Sequence, residues 1–157
     1  MKLIFVTGGL ISGGAERVMS IIANGLSERG FNISLDAMSE LRSLPNIHAV
    51  IVGYGDEADL IPQNIERLGL EDIVTYLGKS PAANQLMPKI DVIVSPTQFF
   101  DAFPTVILEA LDADCCIIAS DIEAHKSQLN DDLLLFENAN HIQLAEKLKR
   151  LYDDHGF

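Results

Sequence analysis

The chain has 157 residues, with 23 acidic against 11 basic side chains and a formal net charge of −12. Apolar residues make up 48 % of it and the mean hydropathy is +0.19. That excludes a disordered chain, and the length suits one domain with a real core. A surface this acidic repels phosphate backbones, which argues against nucleic-acid binding. It leaves room for one small phosphate site built from backbone N–H groups.

In chain order, strands and helices alternate. Lys2–Thr7 is a short apolar strand that breaks at Gly8-Gly9 without the pattern of a cleaved leader. Gly8–Gly14 is a glycine-rich turn. Ala15–Arg29 carries Val18, Met19, Ile21, Ile22 and Leu26 at helical spacing, and Gly30 is placed to end that helix. Residues Phe31 to Ser43 read two ways. Phe31–Leu35 could be a second strand, whereas Ser34–Arg42 reads as a helix with Ser34 at its N-cap. Ile47–Val52 is a strand followed by the turn Gly53-Tyr54-Gly55. Glu57–Leu68 is a helix in which Pro62 demands a late start or a kink, and Gly69 stops it. Ile73–Leu77 is a strand and Pro81–Met87 a short helix. Val92–Ser95 is a strand, and Pro104–Asp112 a helix with proline in its first turn. Cys115–Ala119 and Leu133–Phe136 are the last strands, and a helix runs from about Asn140 to Tyr152.

Strands that are apolar throughout, separated by helices, imply a parallel sheet covered on both faces. The expected fold is a single α/β, Rossmann-like three-layer domain with about six strands, spanning residues 1–157. No apolar run approaches the ~20 residues that cross a bilayer, so no membrane span is expected. Cys115 and Cys116 are neighbours in a strand, point to opposite faces and read as buried, reduced thiols, which suits the cytoplasm. No cysteine or histidine spacing suggests a metal. His48, His125, His141 and His155 form no constellation and read as surface or capping residues.

Ligands of such sheets sit beyond the carboxyl ends of the strands. Three turns are therefore candidates. Gly8–Gly14 could bring backbone amides to a phosphate, although neither the dinucleotide fingerprint nor the P-loop pattern is matched. A plain flexible turn is the alternative. Gly53-Tyr54-Gly55 reads more simply as an ordinary turn. The third stretch, Ser95 to Glu109, joins a strand to a helix start with free N–H groups. Asp101 lies just before that helix and Glu109 about one and a half turns inside it. Two carboxylates so placed could grip sugar hydroxyls with phosphates on the amides between. Otherwise Asp101 is a helix cap and Glu109 a solvated helix residue. Glu109 stands between Leu108 and Ala110-Leu111, an unnatural place for a free surface acid.

At these residues the chain resembles the family-4 (group 1) glycosyltransferases of the GT-B fold. Val6-Thr7-Gly8-Gly9 and Gly13-Gly14-Ala15-Glu16-Arg17-Val18 resemble the start of their N-terminal domain, up to residue 33. From residue 34 onward the chain resembles their C-terminal, donor-binding domain. The matching pieces are Pro45–Gly55, Leu68–Gly78, Asp91–Pro96 and, most specific, Phe103-Pro104-Thr105-Val106-Ile107-Leu108-Glu109-Ala110. The resemblance implies one half of a GT-B enzyme that transfers a hexose from a UDP- or GDP-sugar with retention, without metal or cofactor. It implies Asp101 at the donor sugar and Glu109 at the ribose as the catalytic pair. Ser95, Phe103, Pro104, Thr105 and Val106 would line the phosphates, with Gly13, Gly14, Gly53 and Gly55 nearby. The chain departs from the family too. The middle of a GT-B enzyme is absent, and with it the Arg and Lys that neutralise the diphosphate. Asp101 replaces Glu, Ala102 and Asp114 replace Gly, and Cys116 replaces Pro.

Two readings follow, a glycosyltransferase completed by a partner or second chain, or a remnant that binds nucleotide without turnover. A flavodoxin-like regulator is a weaker third. Lys2–Thr7 and the helix after it are expected to replace the lost strand and helix of the donor domain. Apolar surface left by a missing domain would favour a homodimer.

Overall fold

The computed structural model describes residues 1–7, 27–53, 58–80, 89–98 and 104–155. Six strands form one sheet: β1 (Lys2–Thr7), β2 (His48–Gly53), β3 (Val74–Gly78), β4 (Val92–Ser95), β5 (Cys116–Ser120) and β6 (Leu135–Phe136). Their order is β3-β2-β1-β4-β5-β6, and every pair is parallel. The helices are α1 (Ser27–Leu41), α2 (Leu60–Leu68), α3 (Thr105–Asp112), α4 (Glu123–Leu129) and α5 (His141–His155).

The alternation of side chains along the strands builds a core on each face. Ala49 and Ile51 of β2, Val74 of β3, Val92 and Val94 of β4, and Ile118 of β5 pack beneath α1, α2 and α5. Val52, Ile93 and Ile117 point the other way and meet Val106, Ile107 and Ala110 of α3. A parallel sheet buried on both faces needs apolar residues at both parities, which explains why these strands read as continuous apolar runs.

The structure resolves the ambiguity after Gly30 in favour of helix and corrects the expected stop. Gly30 lies inside α1, which runs unbroken to Leu41. Phe31, Leu35, Met38 and Leu41 are all buried at helical spacing, as are Ser34 and Ala37. A glycine inside a helix costs about 1 kcal/mol. Burying several large apolar side chains, at about 1.5–3 kcal/mol each, outweighs it. The expected helix before it, Ala15–Arg29, and the short helix Pro81–Met87 lie largely outside the described residues. Lys2–Thr7 does sit in the sheet, beside β2, with β4 on its other side.

Pro62 gives α2 a late start at Leu60, so the proline falls in the first turn, where an N–H has no helical partner anyway. α2 ends at Gly69 with φ +64°. The Gly69 N–H donates to the Glu66 carbonyl and the Leu70 N–H to the Ile65 carbonyl, each at 3.0 Å. This is a Schellman cap, which needs the left-handed conformation that glycine adopts freely. α3 ends the same way: the Asp114 N–H reaches the Leu111 carbonyl and the Cys115 N–H the Ala110 carbonyl. Here Asp114 occupies the left-handed position, φ +52°. The expected strand Leu133–Phe136 is a 3-10 turn over Asp132–Leu134 followed by the two residues of β6. Helix α4 had no counterpart in the sequence reading, because its seven residues bury only His125 and show no apolar stripe. Among the described residues no helix is long and apolar enough to cross a membrane.

Candidate functional site at the carboxyl end of the sheet

Because all strands are parallel, the turns after β1, β2 and β4 emerge at one end of the sheet. The chain winds outward from β1 in one direction through β2 and β3, then restarts at β4 on its other side. The order therefore reverses between β1 and β4, and in parallel sheets of this kind ligands bind in the crevice beyond the strand ends at such a reversal. Thr7, Gly53 and Ser95 are the last residues of the three strands concerned. Gly8–Gly14, Gly55, Asp101 and Phe103 lie outside the described residues.

α3 starts at Thr105, next to the end of β4. Pro104 precedes it with φ −69° and ψ 94°, and among the described residues no side chain caps the helix start. The expected helix start at Pro104 thus shifts by one residue. The side chains of Pro104 and Val106 are buried, so any contact of Thr105 or Val106 with an anion falls to their backbone N–H groups. Glu109 is one turn on from Thr105 and only partly accessible. Its two carboxylate oxygens are buried, and among the described residues neither has a hydrogen-bond partner; the Thr105 hydroxyl is in the same state. Burial raises the Glu109 carboxyl above its ordinary range. The nearby Thr105 hydroxyl offsets part of this without reaching hydrogen-bond geometry. A buried acid without a partner is unfavourable by itself, and such groups collect where a ligand supplies the missing contacts.

Ser95 is almost wholly buried, and its hydroxyl is turned inward to His125 Nε2, 3.3 Å away. This corrects the surface reading of His125, which is fully buried from α4. The ring's Nδ1 lies 2.8 Å from the Ser120 carbonyl and 3.1 Å from the Ser120 hydroxyl. A carbonyl can only accept, so Nδ1 carries the hydrogen. The Ser120 hydroxyl donates to the Thr97 carbonyl. Asn138, beyond β6, donates its side-chain amide to the Gln98 carbonyl at 2.8 Å, and its own N–H goes to the Asp121 carboxylate at 2.8 Å. On the β2–β3 side of the reversal the Tyr76 hydroxyl donates to the Gly53 carbonyl at 3.0 Å. Burial, with Asp59 adding a smaller contribution, raises the Tyr76 phenol above its usual range, so it remains a donor at neutral pH.

Sequence reasoning missed His125, Ser120, Asn138 and Tyr76. The only available signals were serines closing two apolar strands, Ser95 and Ser120, with a histidine five residues after the second. Cys115 and Cys116 are free thiols, half-buried instead of fully buried, and burial raises both above the usual thiol range. Among the described residues no three His, Cys, Asp or Glu side chains converge to hold a metal ion.

The chain is 30 % identical over 106 residues to a phosphatidyl-myo-inositol mannosyltransferase of Mycobacterium tuberculosis, a match covering 66 % of this chain and 27 % of that one. It therefore spans little more than a quarter of that relative's length. The crystal structure of Anabaena Alr3699/HepE in complex with UDP superposes with a TM-score of 0.76 at 22 % identity, covering 98 % of this chain and 39 % of that chain. The catalytic domain of cholesterol-alpha-glucosyltransferase from Helicobacter pylori gives 0.71 at 16 % identity, covering 98 % and 87 %. At such identities these two likenesses speak for the fold: an α/β lobe of the kind that makes up part of a GT-B glycosyltransferase. The family model for glycosyl transferases group 1 matches residues 12–156, and the chain belongs to that family.

Proposed function

We propose that the crevice between β1 and β4 binds the nucleoside diphosphate portion of a nucleotide-sugar. The observation that carries this reading is Glu109, a half-buried acid whose oxygens have no partner among the described residues, one turn inside a helix that starts beside the β1–β4 crevice. A ribose offers two adjacent hydroxyl donors, which match two carboxylate acceptors. The N–H groups of Thr105 and Val106 at the start of α3 face the diphosphate. Asp101 takes the donor sugar, with Gly13, Gly14, Gly53, Gly55, Ser95, Phe103 and Pro104 shaping the site. A relative solved with UDP supports a uridine donor, and GDP is the alternative.

Under this reading the chain belongs to a retaining hexosyltransferase acting in the cytoplasm, completed by a partner or a second copy. A second reading, nucleotide binding without turnover, is favoured by the charge balance of 11 basic against 23 acidic residues. Departure of a diphosphate needs cationic or dipolar stabilisation, usually the largest catalytic contribution.

Calorimetric titration with UDP and GDP tests the site. The wild-type chain binds one of them, and Glu109→Ala raises Kd about 10- to 100-fold, the range for hydrogen bonds to a charged acceptor. No heat at millimolar nucleotide, or unchanged affinity in the variant, overturns the assignment. Sugar transfer from the corresponding nucleotide-sugar, present or absent, separates the two readings.

A further inference from the structure

Four polar residues are buried among those described: Ser34, Ser95, Ser120 and His125. Three of them form one hydrogen-bonded group beneath the segment that leads from β4 toward α3. Burying polar side chains is unfavourable unless each is satisfied, and a satisfied group of this kind rigidifies what it touches. Here it touches the backbone at the end of β5 and in the segment that follows β4. His125 holds the Ser120 carbonyl and the Ser95 hydroxyl. Ser120 in turn holds the Thr97 carbonyl, and Asn138 the next carbonyl, that of Gln98.

Fixing a carbonyl fixes its whole peptide plane, because the peptide unit is planar and, among the described residues, trans. With the Thr97 carbonyl drawn toward Ser120, the N–H of Gln98 is turned the opposite way. The course of residues 95–98 is therefore set by side chains from β5, α4 and the turn after β6, not by the segment's own sequence. Tertiary control of this kind suits a loop that must present its backbone in one orientation.

We propose that His125 is a positioning residue for the nucleotide site, acting through Ser95 and Ser120 to hold residues 95–98 at the mouth of the crevice. This rests on the nucleotide-binding reading above, and the experiment separates the two. Backbone amide order parameters of Thr97 and Gln98 are measured by NMR on the full chain without nucleotide, and UDP affinity is then measured by calorimetry. In the wild type both amides lie near the rigid value of about 0.85. In Ser120→Ala, a small change that removes the tie to Thr97, they fall below about 0.6 and the UDP Kd rises about tenfold. His125→Leu does the same. His125→Asn, whose amide can still donate to the Ser120 carbonyl, stays within about threefold of wild-type affinity. A residue that merely fills the core would lower the melting temperature in all three variants and leave the two order parameters unchanged. Rigid Thr97 and Gln98 in Ser120→Ala overturn the proposal whatever UDP does. Mobile amides in that variant with no UDP or GDP binding by the wild type leave the loop-setting role standing and overturn the nucleotide reading instead.

Discussion

The two ends of the sheet are built differently. At the amino end the strands are stitched largely by backbone groups. The N-terminal ammonium donates to the Asn46 carbonyl at 2.7 Å, and the His48 N–H to the Met1 carbonyl at 3.0 Å. Lys2 and Asp91 exchange two bonds, one from the Asp91 N–H to the Lys2 carbonyl and one from the Lys2 N–H to the Asp91 carboxylate. Tyr152, near the end of α5, donates to the Pro45 carbonyl. At the carboxyl end the work falls to side chains, the buried Ser95, Ser120 and His125 and the half-buried Tyr76, and one acid is left without a described partner. The amino end is organised for stability. The carboxyl end carries polar groups that a purely structural fold would have no reason to bury.

This contrast can be broken by substitution. Asp91→Ala leaves the Lys2 N–H without its acceptor between β1 and β4. It should lower stability by about 1–3 kcal/mol in urea unfolding and leave nucleotide affinity unchanged. A loss of affinity with stability intact would erase the division between the ends. Asp114→Gly relieves a left-handed residue at the end of α3. It should raise stability by about 1 kcal/mol, or about 2–4 °C in the melting temperature. The smallest effect concerns Glu109. Its carboxyl is raised in the folded state, so the fold is not penalised below the ordinary carboxyl pKa. The penalty grows as pH rises through the raised value. Glu109→Gln should therefore melt about 1–3 °C higher than wild type at pH 7, with the difference vanishing at acid pH, while nucleotide binding weakens. A variant that is less stable at pH 7 would mean that the acid is already paired in the free protein.

Much of this was legible in the sequence. The six strands and the parallel sheet followed from continuous apolar runs such as those around Ile51 and Ile93, because burial on both faces leaves no other composition. The stop at Gly69 and the late start at Pro62 were local chemistry. Gly30 misled, since the packing of Phe31, Leu35 and Met38 overrode a helix-breaking preference. Glu109 stood out between apolar neighbours, yet sequence could not show that its oxygens lack partners. His125 and its serines were illegible: each is an ordinary residue at a strand end or in a short helix without an apolar stripe, and only the adjacency of β4 and β5 brings them together. Tyr76 and Gly53 are joined in the same way, across a pair of neighbouring strands.

The position of β1 has a consequence for how the chain reaches its fold. It is the first strand in sequence and lies in the interior of the sheet, with Lys2 opposite His48 and Leu3 opposite Val92. Neither neighbour is close along the chain, so its seats cannot be filled until distant segments have arrived, and such long-range pairing is slow. Without β1, the β2–β3 pair and the β4–β5–β6 group would share no strand pairing, and each would carry an open edge that invites pairing with other chains. The first seven residues thus act as the seam of the molecule. A protease cut behind them, or a tag that delays their docking, would release two half-sheets in place of a loosened terminus.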